Sequence, residues 1–272
     1  MKFTRVIFTV PAVVLALSVQ ALGHELWIEP ENYQVEPGAP LSAQIKNGEG
    51  FQGINQAWFD RRIDRVEQLQ NGNLAPVTGR AGDIPALHLP DAGDGLLVLA
   101  YQSTAQTLTY RDWATFTDFV EHKALAGTLQ RHAARDLPET GFKEAYSRHA
   151  KALVAVGDGR GSDRDLGLKT EFVALENPYS DDMADGLTVR LLYQGAPRDN
   201  AQVEVFARAP DGAVTITTTR TDENGQAVIS VAPGHDYLLD AVVMREPAPA
   251  LAEETGVVWE SLWAALTFRV PG

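Results

Sequence analysis

The sequence predicts a mostly β protein made of two β-sandwich regions with a helical insertion between them. Three observations carry that expectation. Short segments before residue 112 alternate apolar and polar residues with the period of two that a half-buried strand needs. The period changes to a helical one after Phe116. Beyond residue 168 a second series of strands returns, at the spacing of roughly 8–12 residues typical of small sandwiches.

The chain opens with Lys2 and Arg5, runs through an almost wholly apolar stretch from Val6 to Val19, and reaches small residues at Ala21 and Gly23. This is the pattern of a secretory signal peptide over residues 1–23. The apolar stretch is interrupted by Pro11 and falls short of the ~20 residues that a membrane-spanning helix requires. The expectation is an exported, periplasmic chain with no stable membrane insertion.

Residues 24–112 read as the N-terminal sandwich. In PLSAQIKNG, Leu41, Ala43 and Ile45 alternate with Ser42, Gln44 and Lys46, bracketed by turn signals at Pro37-Gly38 and Asn47-Gly48. AWFD, RVEQLQ and LLVLAYQS supply further strands, the last apolar enough for burial on both faces. Residues 113–155 read as helical: Phe116, Phe119, Val120, Leu125 and Leu129 fall at helical spacing, and FKEAYSRHAKALV repeats the habit with Tyr146, Ala150 and Leu153. VGDGRGSDRDLG, rich in glycine and charge, reads as an exposed linker over 156–167. Residues 168–272 read as the second sandwich, with strands in LTVRLLYQG, AQVEVFARA, AVTITTTRT, QAVISVA and AALTFRV and a hairpin turn at TDENG, where Gly225 is free to take positive φ.

Composition excludes several functions. The chain has no cysteine, which removes thiolate metal sites, disulfides and a cysteine nucleophile. Its formal net charge of −13 becomes more negative still once Lys2 and Arg5 leave with the leader. Phosphate backbones repel such a chain, so no nucleic-acid partner is expected. There is no GxSxG elbow, phosphate-cradling glycine loop or dinucleotide fingerprint, and no catalysis is expected. The acidic loops YSDDMADG and TDENG lack the alternating ligands and closing glutamate of a calcium-binding EF-hand, and turn chemistry accounts for both.

The chemistry centres on His24. A cut after Gly23 leaves its α-amine and ring nitrogen to chelate one metal ion, and a second histidine would complete the three-nitrogen arrangement called a histidine brace. A cut after Ala21 leaves Leu22-Gly23-His24, whose amine, two amides and imidazole wrap an ion in a square plane. Both products suit Cu(II) and Ni(II). His88, between Leu87 and Leu89, and His235, after Pro233-Gly234, are the candidate partner ligands because they lie in the sandwiches. His122, His132 and His149 belong to the helical segment and form no HxxxH or HExxH pair. Trp259, Trp263 and Phe268 in the aromatic tail are expected to pack. Read instead as a sugar-stacking surface, they give the alternative function, a carbohydrate- or envelope-binding module without metal. An oxidative copper enzyme built on His24 is a third reading.

Five spaced segments, HELWIEP (24–30), YSRHAKALVAVG (146–157), LGLKTEFVALENPYS (166–180), TDENG (221–225) and WESLWAALTF (259–268), resemble a known family. It is the exported bacterial family classed as domain of unknown function 4198, associated with nickel and cobalt transport. The resemblance implies a periplasmic, mostly β protein with an immunoglobulin-like or carboxypeptidase-regulatory-like sandwich at its C-terminal end. It further implies a bound Ni(II), Co(II) or Cu(II) ion, with His24 as the ligand, and a metal-uptake transporter in the envelope as partner. The family often carries a further histidine near YLLDAVVMRE, where this chain has Val242 and Val243.

Overall fold

The computed structural model describes residues 24–272; the signal-peptide reading of residues 1–23 lies outside the described residues. Three β-sheets stack in layers. One outer sheet contains β1 (Glu25–Pro30), β3 (Leu41–Glu49), β4 (Gln52–Gln56) and β7 (Leu87–Leu89). The central sheet has ten strands: β2 (Gln34–Val35), β5 (Ile63–Gln70), β6 (Asn73–Pro76), β8 (Gly95–Ser103), β9 (Gln106–Thr109), β10 (Lys143–Val156), β14 (Gln202–Arg208), β15 (Val214–Arg220), β17 (Asp236–Arg245) and β18 (Val257–Arg269). Its main path runs β15-β14-β17-β18-β10-β8-β5-β6, with β2 and β9 added along β10. The other outer sheet holds β11 (Thr170–Ala174), β12 (Leu187–Tyr193), β13 (Ala196–Pro197) and β16 (Gln226–Ile229). The helices are α1 (Trp113–His122), α2 (Thr128–Ala134) and α3 (Pro249–Thr255).

Both sandwiches are therefore built on opposite faces of one shared sheet, and its middle strands are apolar on both sides. In β8, Leu97, Leu99 and Tyr101 pack with Trp27, Ile28 and Ile45 of the first outer sheet, while Leu96, Val98 and Ala100 pack with Phe172, Val189 and Ile229 of the second. Each fully buried Leu or Val contributes about 1.5–3 kcal/mol relative to exposure. The helices α1 and α2 cover what the first outer sheet leaves bare. Phe116, Phe119 and Val120 of α1 pack with Val242, Met244, Trp259 and Trp263 of the central sheet. Asp112 caps α1 by accepting from the Thr115 N–H at 2.8 Å.

Three local expectations are corrected. FKEAYSRHAKALV is not a helix but most of β10, a strand parallel to β18 from Lys143↔Val257 to Ala152↔Thr267. The helical spacing of Tyr146, Ala150 and Leu153 is overridden by tertiary pairing, because this strand has neighbours on both edges and sheets on both faces. VGDGRGSDRDLG is mostly exposed, as expected, but it is not a free linker, because its buried side chains tie it to the core. The Lys151 ammonium pairs with Asp163 at 2.6 Å, Asn177 donates to the Gly159 and Gly161 carbonyls, and Leu166 is buried. AWFD is not a strand: Trp58 is buried, its indole N–H donates to Asp60 at 2.7 Å, and a 3₁₀ turn follows over Asp60–Arg62. The TDENG turn forms as expected, with the Asn224 and Gln226 N–H groups donating to Asp222 and Gly225 at φ 70°.

Candidate functional site

The first outer sheet and the α1–α2 pair meet in a seam over the central sheet, and His24 stands at its mouth. A cleft of about 410 Å³ opens there, lined by His24, Tyr110, Phe119, Glu144, Arg148 and Trp263 among others. A smaller hollow of about 150 Å³ lies on the other side of Asn47, Tyr146 and Arg148, which border both. The alternation of β10 aims Glu144, Tyr146 and Arg148 at this face.

Beneath the seam sits a buried charge cluster. Lys123, the residue that ends α1, extends over the Trp263 ring at 4.9 Å and reaches Asp240 at 2.9 Å, Glu25 at 3.1 Å and, more closely, Glu204. His122 meets the other oxygen of Glu204 at 2.8 Å. Glu25, Glu204 and Asp240 lie close enough to hold a metal ion, but the lysine ammonium occupies the cation position. Three buried carboxylates against one ammonium leave excess negative charge, and protons relieve it. Burial pushes Glu25 up to about 7 against the pull of Lys123, and burial likewise raises Asp240. Glu204 moves down: burial opposes the shift, and the contacts from His122 and Lys123 outweigh it. The hydrogen bond to Glu204 raises His122. Burial disfavours the charge on Lys123, yet its three acidic neighbours more than compensate and raise it. Glu144 accepts from the Tyr110 hydroxyl at 2.7 Å and from the Ser261 hydroxyl, and burial still pushes it up to about 7.

The histidines are dispersed. Glu25 pairs with Gly48 while His88 pairs with Ser42, six residues along the same strand β3, so His24 and His88 stand about 20 Å apart. His235 adjoins Asp236, which Arg208 ties to Glu29 near the far end of β1. Neither histidine can share an ion with His24. His88 instead bonds Ser42, and His235 bonds the Pro233 carbonyl. His132 is buried, accepts from the Trp259 indole and meets the Pro138 carbonyl; His149 is buried on the Trp263 carbonyl, and burial takes it down to about 3. His24 is exposed and alone among the six has no hydrogen-bond partner among the described residues.

Trp259 and Trp263 pack, as expected. Trp259 is fully buried, and Trp263 is stacked by Phe119 at 5.5 Å and by the Arg148 guanidinium at 3.9 Å, which leaves no broad indole face for a sugar. The site residues that sequence reasoning missed are Lys123, Glu144, Tyr146 and Arg148, all in stretches read as helical. The spacing of two between Glu144, Tyr146 and Arg148 was the available signal.

Fold and seam together define a layered, mostly β architecture with a polar and aromatic cleft between an outer sheet and a helical cap. The family model described as domain of unknown function (DUF4198) matches residues 21–245, and the chain belongs to that family. A comparison with curated proteins finds no match. Among solved structures, the chain is similar to a tetra-tandem repeat in the extending region of a large adhesion protein, at 12% identity and a TM-score of 0.21, covering 91% of this chain and 50% of that one. The chain thus spans half the length of that relative. It is also similar to fibronectin(III)-like modules of Clostridium thermocellum CbhA, at 11% identity and a TM-score of 0.19, covering 89% and 94%. Likenesses this low carry no argument about function.

Proposed function

We propose that this is a non-catalytic periplasmic protein that binds a transition-metal ion, Cu(II), Ni(II) or Co(II), through its processed N-terminus and passes it to an uptake transporter in the envelope. The observation that supports this most is the position of His24: exposed, unpartnered among the described residues, and directly ahead of β1, which pins the following residue at the cleft mouth. The dispersal of His88 and His235 bears on which cut gives tight binding. A start at His24 supplies two nitrogens and needs a further ligand that neither histidine provides. A start at Leu22 supplies four from one short stretch, in the tetragonal set that Cu(II) and Ni(II) favour.

The test is a Cu(II) and Ni(II) titration of protein exported with its own leader, its first residue established by sequencing. Wild type binds tightly and His24→Ala does not. A start at Leu22 gives the visible absorption of a square-planar four-nitrogen site, and a start at His24 gives a weaker two-nitrogen site. Equal affinity in wild type and His24→Ala, or a native start at Glu25 or beyond, overturns the proposal.

A further inference from the structure

We infer that the seam contains a carboxylate-binding site centred on Arg148, distinct from any metal site at His24. The residue is only 7% exposed, yet none of its guanidinium nitrogens makes a hydrogen bond or an ion pair among the described residues, and Nη1 is enclosed without a partner. The two buried lysines among the described residues are saturated: Lys123 has three carboxylates, and Lys151 has Asp163, Glu171 and the Arg164 carbonyl. Arg190 Nε and Arg198 Nη1 are also enclosed without a partner, but Arg190 is only half-buried and Arg198 donates through Nη2 to the Val242 carbonyl. Among the described residues Arg148 alone is buried with no guanidinium partner at all, and an unmet charged donor is costlier to bury than a neutral one.

Its surroundings explain what it is held for. The guanidinium lies over the Trp263 ring at 3.9 Å and over the Tyr146 ring at 5.2 Å. Aromatic contact of this kind steadies the charge but gives none of the five N–H bonds an oxygen acceptor. The side chain borders both the larger cleft and the smaller hollow, so the guanidinium edge gives onto space that a ligand can enter. A carboxylate meets such an edge with two parallel charge-assisted hydrogen bonds, a match that a neutral amide does not reproduce; a phosphate can fork in the same way, and it is the apolar lining of the cleft that disfavours so strongly hydrated an anion. Glu144 lies in the same cleft but does not serve as the internal partner: its oxygens accept from Tyr110 and Ser261, and it makes no ion pair with Arg148. Leu108, Phe119 and Trp263 give the larger cleft apolar walls. The ligand class is therefore a small organic monocarboxylate with an apolar or aromatic body.

The experiment uses the exported full-length protein stripped of metal, which separates this site from the metal reading. It is titrated calorimetrically with benzoate, with benzamide as the neutral isostere and with inorganic phosphate. Benzoate binds, benzamide binds at least ten-fold more weakly, and phosphate does not compete. Arg148→Lys weakens benzoate at least ten-fold, since it keeps the charge and loses the fork. Should that variant fail to fold, the side-chain Nε–H resonance of Arg148 in wild type decides: benzoate shifts it and benzamide leaves it in place. Equal binding of benzoate and benzamide, no binding of benzoate, tighter binding of phosphate, or an Arg148 resonance indifferent to benzoate overturns the assignment.

Discussion

Replacing Lys123 by methionine tests whether an internal ammonium holds the seam together. The substitution keeps most of the side-chain volume and removes the charge that Glu25, Glu204 and Asp240 share at contacts of 3.1 Å or less. Removing one partner of a buried ion pair costs about 3–5 kcal/mol, because the remaining charge stays buried and uncompensated. The lost contact with the Trp263 ring, at 4.9 Å, adds up to about 2 kcal/mol. For a domain of this size each kcal/mol moves Tm by roughly 2–4 °C, so the expected drop near neutral pH is on the order of 6–28 °C. The deficit depends on pH in a fixed direction. Without the ammonium, Glu25 and Asp240 rise further above their unfolded values, Glu25 beyond the position near 7 that it already holds against an ordinary 4.5, and Glu204 loses one of the two contacts that hold it down. The folded variant then binds more protons than the unfolded chain, and its stability falls as pH rises through that window. Thermal melts followed by circular dichroism at about pH 5 and about pH 7.5 should show a small deficit at the first and the full one at the second. Adding Asp240→Asn should recover part of it. A variant as stable as wild type at the higher pH, or a deficit indifferent to pH, refutes the reasoning.

Two further outcomes are expected. Glu144, pushed up to about 7 by burial, makes the folded protein bind an extra proton between about pH 4.5 and 7, so it costs on the order of 2–3 kcal/mol by the upper end of that range. Glu144→Gln should flatten this part of the pH profile in urea denaturation, and an unchanged slope would reject it. Lys151→Met should destabilise by about 3–5 kcal/mol and release the loop that Asp163 and Glu171 anchor. Amide exchange at Leu166 and Leu168, whose N–H groups donate to Glu171, should quicken, and unaltered protection there speaks against the strap.

Fold class was legible because burial in sandwiches follows a local period. Leu41, Ala43 and Ile45 point inward as their alternation requires, and the unbroken apolar run of β8 is covered on both faces. β10 was not legible for the opposite reason. Its inward-facing residues include Glu144, Arg148, His149 and Lys151, all buried, whereas charge at that density in a sequence ordinarily marks a solvated face. What lets them lie inside is partners from distant segments, such as Ser261 for Glu144 and Asp163 for Lys151, and no local pattern announces those. His24 could be singled out as a candidate because the chemistry of an N-terminal histidine is local. The cleft beside it was missed because its walls come from β10, α1 and β18, which only tertiary structure assembles.

The strand β18, the last of the described strands to be synthesised, is inserted between β17 and β10 rather than added at an edge. Until it arrives, two stretches of sheet have no common neighbour, and both sandwiches lack part of their floor. A chain emerging gradually during synthesis can thus collapse early but cannot close its hydrogen-bonded lattice until β18 is present. Products truncated before Val257 should accordingly stay vulnerable to proteases, which gives this fold a built-in check on completeness.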